Sequence, residues 1–177
     1  ILADGVIGQR MEKVVLPEQR TRLTDEEVIA RCPWATTGRT HHRTPNIITS
    51  LELDPAEMEK RNIHLQKKYA EIEENEVRFE ELHCEDSEYL IVAFGSCARI
   101  AQKAMEMARE EGIKVGLLRP ITLWPFPSKA IAARAAQVKG ILTVELNAGQ
   151  MVEDVRLAVE CKVPVEPVSY THLTLPT

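Results

Sequence analysis

From residue 88 onwards, the sequence alternates between unbroken apolar runs and helical patterns, and this alternation constrains the fold most strongly. Residues 89–94 ("YLIVAF") form the first apolar run, and residues 98–111 follow as an amphipathic helical pattern. An apolar run without polar interruptions is typical of a strand that is buried on both faces of a parallel sheet. Parallel strands need crossover connections, which helices usually provide. We therefore expect an α/β domain over residues 86–167.

The same unit repeats along the rest of this domain. Further strands are predicted at "IKVGLL" (113–118), "GILTVEL" (140–146) and "VPVEPV" (163–168), and further helices at residues 129–137 and 151–160. Four strands joined by three crossover helices predict a doubly wound, mainly parallel sheet.

The chain before residue 86 has a different character. Short apolar strands are predicted at residues 1–3 and 14–16, and residues 17–53 read as an irregular connector with one capped helical turn at "LTDEEV". Residues 54–84 predict one long helix, because Asp54 can cap it, Pro55 suits its first position and no later Gly or Pro interrupts it. Apolar residues seven apart give this helix a narrow stripe, which indicates an arm that lies across another surface; they are Met58, Leu65, Ile72 and Phe79.

A proline-rich loop, "LLRPITLWPFPSKAI" (117–131), follows the second predicted strand of the domain. Its prolines fix φ and remove hydrogen-bond donors, so the loop can neither become a helix nor extend the sheet. It nevertheless carries Leu123, Trp124 and Phe126. We expect these three side chains to dock against a neighbouring domain or chain. The alternative, that Trp124 folds back as a lid on its own domain, stays open.

Two small-residue turns follow predicted strands and are candidate binding sites. In open parallel sheets, ligands gather where strands end and helix N-termini point their N–H groups outward. Gly95 and Ser96 occupy one such position, and Asn147, Gly149 and Gln150 occupy another. Either turn could hold an anion or a cofactor, or could simply let strand and helix pack closely. No dinucleotide fingerprint GxGxxG follows any strand.

Charge and cysteine content exclude several classes of function. The net charge of −5 provides no basic field for nucleic acid or anionic lipid, and no apolar run approaches the roughly 20 residues that span a bilayer. The four cysteines form no CxxC pair, so we expect no metal site, and free thiols indicate a reducing cytoplasm. Cys97 lies at a helix start but has no histidine at a useful place in the domain, so we assign no catalytic residue.

Several segments, in order, closely resemble one family. They are "ILADGVIGQRME", "ATTGRTHHRTPNIITSLELDPAEMEKRN", "KYAEIEENEVRFE", "IVAFGSCARIA", "EGIKVGLLRPITLWPFP" and "VELNAGQMVEDVRLAV". Together they resemble the alpha subunit of 2-oxoacid:ferredoxin oxidoreductases, nearest the branched-chain 2-oxoisovalerate type. The resemblance runs from residue 1 to about 166. Residues 86–166 are more distantly similar to the C-terminal domain of transketolase-like thiamine enzymes.

The resemblance implies oxidative decarboxylation of a 2-oxoacid with coenzyme A to an acyl-CoA and reduced ferredoxin. It implies thiamine diphosphate with magnesium in the complete complex, iron–sulfur clusters in partner subunits, and beta, gamma and ferredoxin-like delta subunits as partners. Residues 1–16 would be the end of the pyrimidine-binding domain and residues 17–85 a linker. The acid that activates thiamine would lie upstream, so we expect the chain alone to be inactive and to hold no cofactor. Residues 168–177 resemble no part of the family, and we expect a non-native tail there.

Two other classes of function remain open from the residues themselves. The chain could be a stand-alone module that binds anions or nucleotides at the two small-residue turns. It could also be a non-catalytic domain for interactions between subunits.

Overall fold

The computed structural model describes residues 8–9, 11, 13–34 and 47–169. These residues divide into two units, one within Met11–Leu65 and the other containing the chain from Gln66 onwards. The predicted strand at residues 1–3 and most of the predicted tail lie outside the described residues. Among the described residues, no helix combines the length and apolar character needed to cross a bilayer.

The first unit contains a short helix, α1 (Asp25–Arg31), that begins where the sequence predicts a capped turn. Thr24 accepts a hydrogen bond from the backbone N–H of Glu27 at 3.3 Å, and the Glu27 carboxylate accepts one from the backbone N–H of Thr24 at 2.8 Å. This reciprocal pair is a capping box. Residues 14–16, in contrast, are exposed and have no regular structure, so the strand predicted there is wrong.

The long helix α2 (Pro55–Asn75) begins as predicted but ends earlier. Asp54 caps it by accepting hydrogen bonds from the backbone N–H groups of Ala56 and Glu57, at 2.9 and 3.1 Å. The prediction of one helix over residues 54–84 is wrong beyond Asn75, because the chain turns there into strand β1 (Phe79–Leu82). Phe79 continues the seven-residue apolar spacing of the helix, but the pairing of residues 79–82 with the sheet outweighs this helical pattern. No residue of α2 is fully buried.

A five-stranded sheet organises the second unit. Its order is β1-β3-β2-β4-β5, where β2 is Tyr89–Ala93, β3 is Val115–Pro120, β4 is Gly140–Val144 and β5 is Val165–Val168. Strands β2 to β5 pair in parallel, whereas β1 lies antiparallel to β3, with Phe79 opposite Pro120. The sequence predicts that the domain starts at residue 86, but its sheet includes β1, which lies before that residue. At the other end, Val168, the first residue of the predicted tail, belongs to β5.

The three helices that connect strands β2 to β5 lie on both faces of the sheet. Helix α3 (Gly95–Glu110) connects β2 to β3 and packs one face, whereas α4 (Ser128–Ala135) and α5 (Met151–Val159) pack the other. Alternate residues of β2 show this division: Ile91 and Ala93 face α3, while Leu90 and Val92 face the opposite core. The predicted doubly wound α/β fold is confirmed. The segment "GSC", predicted as a turn, is the first turn of α3.

The connection between β1 and β2 crosses closely over β3. A Cβ atom at Gly116 would lie 3.0 Å from the Cα of Cys84, the backbone oxygen of His83 and the Cβ of Ser87. Such distances are shorter than ordinary van der Waals contacts, so a side chain at Gly116 would force these neighbours to shift by a few tenths of an ångström. Burial raises the pKa of the Cys84 thiol to about 11, reinforced by the negative charge of Glu81. Cys84 is therefore a packed, protonated thiol.

Candidate functional site: the carboxyl edge and the proline-rich loop

The two predicted small-residue turns meet at one edge of the sheet. Gly95 and Ser96 follow β2, and Asn147 follows β4, the parallel neighbour of β2. The helices after these strands, α3 and α5, lie on opposite faces of the sheet. A crevice between neighbouring strands of this kind is the topological switch point, where open α/β sheets bind their ligands. The structure therefore brings both candidate turns to the position that the fold favours.

The start of α5 at this edge is already occupied by a carboxylate of the chain itself. Glu145 is completely buried, and its two oxygens accept hydrogen bonds from the backbone N–H groups of Gln150, Met151 and Val152 at 3.1, 2.9 and 3.1 Å. These are the N–H groups that a helix start leaves without backbone partners. A bound anion at this helix start would have to displace Glu145.

Hydrogen bonds keep Glu145 charged in spite of its burial. Desolvation raises the pKa of this carboxyl group, but hydrogen bonds from the backbone of Met151, Gln150 and Val152 and from the side chain of Asn147 together lower it below its usual value. Asn147 also accepts a hydrogen bond from the N–H of Gly149 at 2.7 Å, where φ is +103°. These residues build a loop around an internal anion, and ligand binding by Asn147, Gly149 and Gln150 stays a prediction.

Glu145 was missed by sequence reasoning. It follows an apolar strand, where a charged residue usually marks the point at which the chain leaves the core. The available signal was the spacing "ELNAGQM", in which an acid precedes the first helical residue by a short turn rich in small residues.

The other turn shows a different environment. Gly95 has a φ of +57°, and a Cβ atom added to it would meet nothing within 4 Å, so backbone conformation rather than close packing favours glycine. Ser96 is half-buried in the first turn of α3, and Cys97 is buried in the core beneath it. A ligand role for Gly95 and Ser96 stays a prediction.

The described residues do not fit a site for magnesium and diphosphate. Across residues 47–169 and the earlier described stretches, no group of three or more His, Cys, Asp and Glu side chains is arranged to hold a metal ion. The amides at the start of α5, which suit a phosphate, already bind Glu145. The start of α5 is therefore not an open phosphate site, and the location of thiamine diphosphate in the complete complex stays a prediction.

Hydrogen bonds of one threonine fix the shape of the proline-rich loop. The Thr122 hydroxyl donates to the backbone oxygen of Pro125 at 2.8 Å and accepts from the backbone N–H of Arg78 at 3.0 Å. The backbone oxygen of Arg78 in turn accepts from Ile121 and Thr122, at 2.9 and 3.1 Å. The peptide bond between Trp124 and Pro125 is cis. Sequence reasoning credited only the prolines with this rigidity and missed Thr122, which carries no periodic signal.

The three apolar side chains of the loop have different surroundings. Phe126 is half-buried against the core formed with α4 and α5, and Leu123 is also half-buried. Trp124 is 56% exposed and meets the ring of Tyr69 in α2 edge to face, with centroids 5.7 Å apart. Phe126 thus packs on its own domain, whereas Trp124 covers little of it. Docking of this loop against a neighbour stays a prediction.

An open groove of about 880 Å³ lies between the C-terminal part of α2 and this loop. Its apolar surface comes from aromatic, proline and valine side chains, and its charged groups stand on the two helices that flank it. The lining residues are Ala70, Glu73, Glu74, Val77, Phe79, Trp124, Pro125, Phe126, Pro127, Ser128, Lys129 and Ala130.

Comparisons with known proteins identify relatives of this chain. Residues 87–173 match the family model of the pyruvate:ferredoxin oxidoreductase core domain II. The ketoisovalerate oxidoreductase subunit VorB of Methanothermobacter marburgensis is 44% identical over 162 residues, which cover 92% of this chain and 44% of that subunit. The 2-oxoglutarate synthase subunit KorA of Archaeoglobus fulgidus is 30% identical over 172 residues, which cover 96% of this chain and 47% of that subunit.

A solved structure supports the same fold. The 2-oxoglutarate:ferredoxin oxidoreductase of Magnetococcus marinus, a complex with 2-oxoglutarate, coenzyme A and succinyl-CoA, superposes with a TM-score of 0.60 and 23% identity. The match covers 71% of this chain and 22% of that chain. The chain spans less than half the length of the two sequence relatives described above. By its sequence relatives and by the family model that matches residues 87–173, the chain belongs to the subunits of the 2-oxoacid:ferredoxin oxidoreductase family.

Proposed function

We propose that the chain works within a 2-oxoacid:ferredoxin oxidoreductase that oxidises a branched-chain 2-oxoacid. In this reaction the 2-oxoacid loses its carboxyl group as CO₂, its acyl group is transferred to the thiol of coenzyme A, and ferredoxin accepts the electrons. The observation that carries the proposal is the 44% identity to a ketoisovalerate oxidoreductase subunit over 92% of the chain. The lower identity of 30% to a 2-oxoglutarate synthase subunit favours the branched-chain substrate.

Partner subunits would supply the cofactors. Thiamine diphosphate with magnesium and the iron–sulfur clusters would be held in the assembled complex of alpha, beta, gamma and ferredoxin-like delta subunits, because the described residues of this chain do not fit either group. Thiamine diphosphate supplies the carbanion chemistry that decarboxylation needs. All four cysteines of the chain are free, which supports a reducing, cytoplasmic setting.

Within such a complex, the described domain would organise contacts between subunits. Its carboxyl edge holds an internal carboxylate, Glu145, where a stand-alone anion-binding module would present open amides. This arrangement argues against the stand-alone module. The exposed Trp124 and the groove beside it favour a surface that another polypeptide covers.

The test is an assay of the purified complex that contains this chain. We expect reduction of a viologen dye that requires coenzyme A and proceeds faster with 3-methyl-2-oxobutanoate than with 2-oxoglutarate. Omitting coenzyme A is the control for dye reduction by contaminants. If neither 2-oxoacid supports reduction of the dye by the complex, the proposed reaction is contradicted. Faster reduction with 2-oxoglutarate would contradict the proposed substrate.

A further inference from the structure

We propose that the groove between α2 and the proline-rich loop receives a polypeptide segment of a neighbouring subunit, in which an apolar side chain stands next to a lysine or arginine. This inference rests on the proposed function, since it requires a complex of several subunits. The loop carries the docking residues that the sequence predicts. The shape and charge of the groove indicate which side chains of the partner segment these residues would contact.

The apolar part of the groove is built from large side chains that the chain leaves partly uncovered. Trp124 is 56% exposed and Phe79 is 39% exposed, and both line the groove. Phe126 and Val77 add half-buried apolar surface. Exposed aromatic side chains gathered around one concave surface are typical of interaction sites, and tryptophan is prominent among residues that dominate binding energy. An apolar side chain of the partner would fill this part.

The helix α2 supplies the acidic wall. Glu73 and Glu74 line the groove, and within the described part of the chain neither carboxylate forms a hydrogen bond or an ion pair. The nearby Glu76, in contrast, pairs with Arg78 at 3.2 Å. Two adjacent carboxylates without partners attract a cation, and their charge is complementary to a lysine or arginine beside the apolar anchor.

The opposite wall carries one cation, Lys129 of α4, which also has no ion-pair partner among the described residues. Two carboxylates against one ammonium group leave the groove acidic. This balance disfavours a small anion such as a nucleotide or coenzyme A. A second copy of the chain is also disfavoured, because its net charge of −5 would bring two acidic surfaces together.

The groove is preformed, which lowers the cost of binding. Thr122 ties the loop to Arg78 and to the backbone of Pro125, and the buried prolines Pro125 and Pro127 fix the chain on either side of Phe126. The edge-to-face contact between Tyr69 and Trp124 joins α2 to the loop. A partner segment therefore meets a surface whose shape needs little further ordering.

The experiment measures how tightly the subunit that contains this chain binds the other subunits of its complex. We expect the double substitution Glu73→Lys and Glu74→Lys to weaken association about tenfold or more, because it reverses the acidic wall. The matched control is Glu110→Lys with Glu111→Lys, an exposed adjacent pair at the C-terminal end of α3. Both double substitutions change the charge equally and place lysines near a helix C-terminus, where they do not disturb the helix.

A second measurement identifies the occupant. The substitution Ala70→p-benzoylphenylalanine places a photocrosslinking group on the exposed wall of α2, and mass spectrometry of the crosslinked complex locates the captured segment. We expect a segment of another subunit with an apolar residue next to a lysine or arginine. Wild-type association should also weaken between about 0.1 M and about 0.5 M salt, since the Debye length shortens.

Each other outcome overturns the docking proposal. These outcomes are equal effects of the two double substitutions, capture of a second copy of the chain, capture of a segment without a basic residue, or no capture. Circular dichroism of each variant separates loss of binding from loss of folding. A complex that assembles through the groove but oxidises no 2-oxoacid would refute the proposed reaction and leave the docking intact.

Discussion

Arg134 and Glu81 form a two-bond ion pair that joins helix α4 to the edge strand β1. The Nε and Nη2 atoms of Arg134 donate to the two carboxylate oxygens of Glu81 at 3.0 and 2.5 Å, and each side chain is only 22% exposed. Parallel hydrogen bonds of this kind combine charge with fixed geometry. Arg134 and Gln137 also donate to the backbone oxygen of Cys84, at 3.5 and 2.6 Å. Arg134, in the last turn of α4, and Gln137, just after the helix, thus hold β1 and the connection that follows it.

We expect Arg134→Ala to lower the free energy of unfolding by about 1 to 3 kcal/mol, because it leaves a largely buried carboxylate without its partner. Urea unfolding of the chain measures this change. The control is Arg119→Ala, whose pair with Glu80 is about half exposed. That substitution should change stability by less than about 1 kcal/mol, as for surface ion pairs. Equal losses would show that burial does not strengthen the pair with Glu81.

We expect Gly116→Ala to destabilise the chain by about 1 to 3 kcal/mol, since the added Cβ atom would lie only 3.0 Å from backbone atoms of His83 and Cys84 and would push them away. Gly140→Ala is the matched control within the same sheet, because its nearest neighbours lie 3.8 and 3.9 Å away. Thermal unfolding monitored by circular dichroism compares the two. A variant at Gly116 as stable as the variant at Gly140 would show that the connection over β3 shifts easily.

The buried carboxylate of Glu145 should make stability depend on pH. Its folded-state pKa lies below the ordinary value of 4.5, so it stabilises the fold above that pH, and the contribution disappears as the pH falls further through the folded-state pKa. We expect Glu145→Gln to cost about 2 to 4 kcal/mol at neutral pH and to flatten the loss of stability in acid. Urea unfolding from neutral pH to about pH 3 measures both effects.

The control for this experiment is Glu153→Gln, which removes an exposed acid from the first turn of α5. It should cost less than about 1 kcal/mol at neutral pH. If Glu145→Gln retains the pH dependence of the wild type, another acid is responsible for it.

The two aromatic residues of the proline-rich loop should differ in their effect on stability. We expect Phe126→Ala to cost about 2 to 4 kcal/mol, because Phe126 packs against the core, and Trp124→Ala to cost less than about 1.5 kcal/mol, because its main contact is the ring of Tyr69. Chemical unfolding of both variants tests this order. A loss of about 3 to 5 kcal/mol for Trp124→Ala would support the lid on its own domain.

The chain by itself should neither bind thiamine diphosphate tightly nor oxidise 2-oxoacids. The amides at the start of α5 already bind Glu145, and the described residues show no group that fits magnesium. Isothermal titration with thiamine diphosphate and magnesium, followed by a viologen assay with 3-methyl-2-oxobutanoate, checks both statements. Reduction of the dye by the chain alone would contradict them.

The sequence predicts the parallel core well because long-range and local signals agree there. The runs around Leu90, Leu117 and Ile141 are apolar on both faces, which only a covered strand tolerates, and the helices between them have one clear apolar face. The end of α2 was predicted wrongly for the opposite reason. Phe79 continues the helical spacing of the arm, and only its pairing with Pro120, far away in sequence, makes it part of a strand.

The candidate site was only partly predictable. Small residues at Gly95 and Asn147 marked the edge of the sheet, because parallel strands must end there. The roles of Glu145 and Thr122 depend on backbone groups that folding brings within hydrogen-bonding distance. Side-chain type and spacing carry little information about such partners.

The antiparallel pairing of β1 with β3 has a mechanical consequence. Residues 76–78 alone connect α2 to β1, so the last residue of the helix can lie at most about 14 Å from the first residue of the strand. A pull on the arm would therefore be transmitted to the ladder from Phe79 to Leu82 and would load its hydrogen bonds and the link to Arg134 together. Tension on α2 would therefore separate the edge strand β1 from β3 first, before it disrupts the parallel strands of the sheet.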